Sequence, residues 1–117
     1  MARVLVVDDA FTARRNLIII LQTNGHQIIG EASNGMDALS KFEKLQPDLV
    51  TMDMTMPVLD GIGAVKQLIA KHPEAKIVMV SAISQKEAVF EALKSGAKHY
   101  ILKPFKAQKV TEVIEAA

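Results

Sequence analysis

Five short apolar, β-branched runs alternate with five segments of helical spacing, and no other feature of the chain restricts its fold as much. The runs are RVLVV (3–7), QIIGEA (27–32), DLVTM (48–52), KIVMV (76–80) and HYILK (99–103). Most are nearly continuous in apolar character, as in strands covered on both faces. The first helical segment spans 11–24, with Leu17, Ile18, Ile20 and Leu21 apolar, and stops at Asn24-Gly25. The second starts at Asn34 as N-cap and carries Ala38, Leu39, Phe42 and Leu45 before Pro47. The third follows Asp60, with Ile62, Val65, Leu68 and Ile69 before Pro73. SQKE (84–87) reads as a capping box opening a fourth helix, with Ala88, Val89, Ala92 and Leu93, stopped by Gly96. The fifth runs from about residue 107, with Val110, Val113 and Ile114. Five βα units in succession predict an α/β domain with a parallel sheet and right-handed crossovers. The 117 residues make one domain's worth of chain, expected to span 1–117.

The residues at the ends of these runs carry the functional signal. Asp8 and Asp9 come after the first, Asp53 after the third, Ser81 after the fourth and Lys103 at the end of the fifth. In a parallel sheet all carboxyl ends lie along one edge, where open α/β sheets place their ligands. Singly these residues are ordinary turn, cap or surface positions. Together they predict three acids, a hydroxyl and an amine at one edge. Three close carboxylates repel one another, so at least one has a raised pKa unless a cation intervenes. Oxygen-only ligands, with no His or Cys beside them, suit Mg²⁺ rather than zinc. In this setting Asp53 can act as a nucleophile toward phosphorus, with a metal and Lys103 spreading the transition-state charge and Ser81 donating to a phosphoryl oxygen.

Composition removes other classes. The net charge of +1 gives no global field for nucleic acid or an anionic membrane. The absence of cysteine removes disulfides and thiol chemistry and fits a reducing, cytoplasmic compartment. No signal peptide or run of membrane-spanning length is present. His26, His72 and His99 lack metal spacing and are expected at the surface; the six methionines are expected to pack in core and loops.

The motifs VLVVDDA, DLVTMDMTMPVLDG, VMVSA and GAKHYILKPF together resemble the receiver domain of bacterial two-component response regulators, over essentially the whole chain. TMDMTMP and SAISQ are especially similar to its stand-alone chemotaxis regulators. The resemblance implies a (βα)5 doubly wound, flavodoxin-like fold with strand order 2-1-3-4-5. It implies that Asp53 accepts a phosphoryl group from a CheA-like histidine kinase. It implies Mg²⁺ held by Asp9, Asp53 and the backbone carbonyl of Thr55, with Asp8 acting through a bound water. Lys103 would pair with the phosphoryl group, its bond to Pro104 being cis. Ser81 would be the hydroxyl that moves to the phosphoryl group and Tyr100 the aromatic that swings inward with it. Thr55 and Ile83 would tune dephosphorylation. The output face would be built from the fourth helix, fifth strand and fifth helix, carrying Lys86, Phe90, Lys94, Lys98, His99, Tyr100, Lys106 and Lys109. Its basic content suits an acidic or amphipathic peptide, and equally a solvated face. The implied partners are the kinase, an output protein such as a flagellar motor switch protein, and a phosphatase, with no direct nucleic acid or membrane contact and a monomer before phosphorylation.

Three competing readings bear on function. A flavin mononucleotide binder would need a Ser/Thr/Gly-rich phosphate loop where this chain has DDAFTARR. A phosphatase with an aspartate nucleophile would want a second acid two residues on, where Thr55 stands. The expected protein is therefore no enzyme beyond its own phosphorylation and dephosphorylation. Within the receiver family, the chain could be a whole regulator or the receiver of a longer DNA-binding factor that dimerises when phosphorylated.

Overall fold

The structure, a computed structural model, describes residues 1–117. The elements run β1 (Arg3–Val7), α1 (Phe11–Thr23), β2 (Gln27–Ala32), α2 (Gly35–Leu45), β3 (Leu49–Met52), α3 (Gly61–Lys71), β4 (Ile77–Ser81), α4 (Lys86–Lys94), β5 (His99–Leu102) and α5 (Ala107–Ala116). All strand pairs are parallel, in the order β2-β1-β3-β4-β5. The parallel α/β sheet is the one expected from the alternation, and its doubly wound strand order is the one implied by the resemblance. The apolar runs fit because β1, β3 and β4 are interior strands: Val4–Val7, Leu49–Met52 and Ile77–Ser81 are all buried. On one face Val4, Val6, Leu49, Val78 and Ile101 pack with Leu17, Ile18 and Leu21 of α1 and Val110 and Ile114 of α5. On the other, Leu5, Val50, Met52, Ile77 and Met79 pack with residues of α2, α3 and α4, among them Phe42, Leu68 and Ala92. No helix is long and apolar enough to cross a membrane.

Helix starts follow the caps at two points. Asn34 accepts from the Asp37 N–H, and Asp60 from the Gly63 N–H, both at 2.8 Å. Each such cap contributes about 1 kcal/mol. Gly25, with φ at +86°, ends α1 where expected. The capping box at 84–87 does not form. Gln85 is the N-cap of α4, without a side-chain bond, and Ser84 lies outside the helix. The preceding residue is already committed: the Ile83 N–H donates to Ser81 Oγ and its carbonyl accepts from Tyr100. On α4 only Ala92 is buried, and Leu93 is 40% exposed, contrary to its expected inward place. Strand limits shift by a residue. β3 starts at Leu49 because Asp48 turns back to accept the Arg3 N–H at 2.9 Å. β5 stops at Leu102, before Lys103 and the cis Lys103–Pro104 bond.

The loop between β3 and α3 contains an unusual residue. Val58 has φ of +70° and is 80% exposed. A β-branched L-residue in the left-handed region costs about 1–2 kcal/mol, and here no burial offsets it. Val58→Asn is expected to stabilise the protein by about 1 kcal/mol, because asparagine tolerates this region far better. Urea denaturation measures it; an unchanged or lower midpoint would show that the loop relieves the strain in another way.

Candidate functional site

The register brings the acids together. Val7 pairs with Met52, so the residues after them, Asp8 and Asp53, emerge side by side. The Asp53 N–H donates to the Val7 carbonyl at 3.0 Å. Asp8, Asp9 and Asp53 each present a carboxylate oxygen within 4.8 Å of the others. Asp8 and Asp53 are buried, 3% and 6% exposed, while Asp9 faces solvent. Gly61 fits against the acid's own backbone: a Cβ there would collide with the Asp53 carbonyl oxygen, so only glycine permits this approach.

Lys103 comes across from the end of β5. Its Nζ lies 2.7 Å from Asp8 Oδ2 and 3.7 Å from Asp53 Oδ2. Asp8 Oδ1 accepts from the Ala10 N–H, and Asp53 Oδ1 from the Met54 N–H at 2.8 Å. Burial pushes the Asp53 carboxyl up from an ordinary 3.8 to about 6. Repulsion by Asp8 adds to the rise, and Lys103 and the Met54 N–H oppose it. Mutual repulsion, the cause anticipated from sequence, is thus second to desolvation. Three carboxylates and no sulfur or imidazole form a donor set of the hard-cation kind. Beside the site, a groove of about 500 Å³ has Lys103, Ala82 and Ala10 in its wall.

Ser81 ends β4 and is buried, with its Oγ accepting from the Ile83 N–H at 3.2 Å. The half-buried Tyr100 donates from its hydroxyl to the Ile83 carbonyl at 2.7 Å. The aromatic is therefore bonded to the β4–α4 loop while Ser81 is turned toward that same loop. Thr55 is exposed, two residues beyond Asp53. Lys86, Phe90, Lys94, Lys98, Lys106 and Lys109 are exposed, and His99 and Tyr100 half-buried, on α4, β5, α5 and the segments leading into β5 and α5.

Several residues play parts not anticipated from sequence. None of the three histidines is fully exposed. His26 Nδ1 accepts from the Ala2 N–H. His72 packs against Phe42 with ring centroids 4.8 Å apart and ring planes tilted by 44°, and bonds Glu43 at 2.8 Å, which holds the Glu43 carboxyl below its usual value. Met52, Met54, Met56 and Met79 are in the core, whereas Met1 and Met36 are exposed. Arg14 was also missed: it bonds the Asp8 carbonyl and Glu31. The signal was available. Arg14 stands three, four and seven residues before Leu17, Ile18 and Leu21, on the inward stripe of α1, where a cation requires partners.

The response regulator receiver domain matches residues 4–115, and the chain belongs to that family. Within it, the chain is similar to the chemotaxis protein CheY of Listeria monocytogenes, 43% identical over 117 residues, covering 100% of this chain and 98% of that protein. It is 46% identical over 112 residues to the chemotaxis protein CheY of Thermotoga maritima, covering 96% and 93% of the two. Among solved structures, it superposes on a chain of the CheX–CheY–BeF3–Mg²⁺ complex from Borrelia burgdorferi with a TM-score of 0.95 and 33% identity, covering 97% and 87%.

Proposed function

We propose that the protein is a phosphorylation switch of the chemotaxis type, with Asp53 as acceptor. The convergence of Asp8, Asp9 and Asp53 with Lys103 carries this reading. An Asp53 carboxylate oxygen attacks the phosphorus of a kinase phosphohistidine or an acyl phosphate. The new O–P bond forms as the P–N or P–O bond to the donor breaks, and the donor departs as imidazole or carboxylate. Asp9, Asp53 and the Thr55 carbonyl, with Asp8 through a water, would hold Mg²⁺, which when bound offsets charge on the phosphoryl oxygens. Lys103 already touches Asp8 and faces Asp53, so a small displacement of Nζ brings it to a phosphoryl oxygen. The added charge of about −1.5 to −2 draws that ammonium. Ser81 gives up the Ile83 N–H and donates to the phosphoryl group. Tyr100, bonded to the Ile83 carbonyl, transmits the loop's movement to the α4–β5–α5 face.

That face would bind the output protein, for which a flagellar motor switch protein is the favoured reading. A histidine kinase would charge the site and a phosphatase would clear it, in the cytoplasm. Incubation with Mg²⁺ and acetyl phosphate tests the acceptor reading: one phosphoryl group per chain supports it, and sustained substrate turnover would argue for an enzyme. Sizing with and without BeF3 separates a monomeric chemotaxis regulator from the receiver of a dimerising transcription factor. Ile83 sets the phosphoryl lifetime in this reading, since its apolar side chain obstructs the attacking water. Ile83→Ala is expected to dephosphorylate several-fold faster in a decay assay; equal rates would remove Ile83 from that role.

A further inference from the structure

Asp9 is the one acid of the cluster that faces solvent, and no protein donor holds its carboxylate. The peptide that carries it is held instead. Arg14 Nη1 donates to the Asp8 carbonyl at 2.6 Å. That carbonyl belongs to the peptide joining Asp8 to Asp9, so the bond fixes the plane from which Asp9 departs. Arg14 Nε donates to Glu31 Oε1 at 2.8 Å, at the end of β2. Lys41 Nζ donates to the Glu31 carbonyl and pairs with Asp37 at 3.2 Å, tying the same point to α2. The Arg14 side chain is only 15% exposed, and its guanidinium carbon lies 5.6 Å from the Phe11 ring centroid. A planar guanidinium joined to a carbonyl and a carboxylate is rigid in a way no lysine can match.

We propose that Arg14 is a positioning residue for the cation site. It clamps the Asp8–Asp9 peptide against the end of β2, keeps Asp9 aimed at Asp8 and Asp53, and thereby sets the affinity for Mg²⁺. This rests on the reading of the acidic cluster as a Mg²⁺ site. Two effects of Arg14 oppose each other. As a bare positive charge near the site it repels the cation, so its removal would tighten binding. As a clamp it orders a ligand, so its removal weakens binding. Glu31 lies at 2.8 Å and cancels most of the charge at longer range, so the clamp dominates.

The test is calorimetric titration of Mg²⁺ into the wild-type protein and the variants Arg14→Met, Arg14→Lys and Arg15→Met, each first shown to be folded by circular dichroism. Arg14→Met is expected to weaken Mg²⁺ binding about tenfold, the size typical of lost support behind a metal ligand. Arg14→Lys should fall between it and wild type, since lysine reaches one of the two acceptors. Arg15→Met removes an equal charge from the exposed face of α1 and should leave affinity within about twofold. In acetyl phosphate labelling, the Mg²⁺ concentration for half-maximal rate should rise with the dissociation constant, while the rate at saturating Mg²⁺ is kept. Equal or tighter Mg²⁺ binding by Arg14→Met overturns the clamp. Absence of Mg²⁺ binding by the wild-type protein instead overturns the cation-site reading beneath it. If Arg14→Met does not fold, Arg14→Lys carries the test, and wild-type affinity in it overturns the clamp.

Discussion

Asp53→Asn is expected to abolish labelling by acetyl phosphate while leaving the protein folded. The reason lies in how the three acids are occupied. Asp8 has one oxygen on the Ala10 N–H and the other 2.7 Å from Lys103, so neither is free to attack. Asp9 is exposed and out of range of the Lys103 pairs seen at Asp8 and Asp53. Asp53 has Oδ1 fixed by the Met54 N–H and Oδ2 facing Lys103 at 3.7 Å, too long for a hydrogen bond and open to an incoming phosphorus. An asparagine retains the acceptor for Met54 but loses the nucleophilic oxygen, so labelling should drop at least about a thousandfold, the scale seen when a covalent nucleophile is removed. Intact-mass measurement after incubation with acetyl phosphate and Mg²⁺ decides it. Normal labelling of Asp53→Asn would mean that another side chain is the acceptor.

The acids were legible in the sequence for a topological reason. Each comes after an apolar run, and a parallel sheet sends all run ends to one edge, so contacts such as Asp8 with Lys103 could be anticipated without a strand order. The order itself is not in the pattern, because alternation is the same for every winding of the helices. Contacts set by side-chain reach are hidden from the pattern too. His72 looked peripheral because nothing local marks it, yet the packing of α3 beside α2 sets it on Phe42 and Glu43. The failed capping box at Ser84 has a similar origin. A tertiary bond from Tyr100 fixes Ile83 and overrides the local signal. Arg14 shows the opposite case, in which periodicity held the clue: a cation on the buried stripe of α1 has to find oxygens, and those nearest are the Asp8 carbonyl and Glu31.

Without a divalent cation, the protein is expected to lose stability as pH rises from about 4 to about 6. The sign comes from Asp53, whose carboxyl is raised from 3.8 to about 6, chiefly by burial and then by Asp8. Between those values the folded protein holds a proton that the unfolded chain has released, so each step up in pH favours unfolding. Below the window both states are protonated and the site is at no disadvantage. Above it the folded state carries the full cost of a desolvated carboxylate beside Asp8. A rise of that size corresponds to about 3 kcal/mol, and solvent entering from the open side reduces this to on the order of 1–2 kcal/mol. Asp53→Asn removes the titrating group, so in metal-free buffer above the window it should be the more stable protein by that amount. Its stability should also lack the decline across the window. Mg²⁺ should act in the other direction, stabilising the wild type above the window and Asp53→Asn much less, since one ligand charge is gone. Urea denaturation of both proteins across pH, with chelator and with Mg²⁺, measures all three differences. Parallel curves for the two proteins would show that Asp53 is ionised in the folded state at no cost. The site would then need no cation to hold its acids together, and the role given to Mg²⁺ would have to be rebuilt from the phosphoryl group alone.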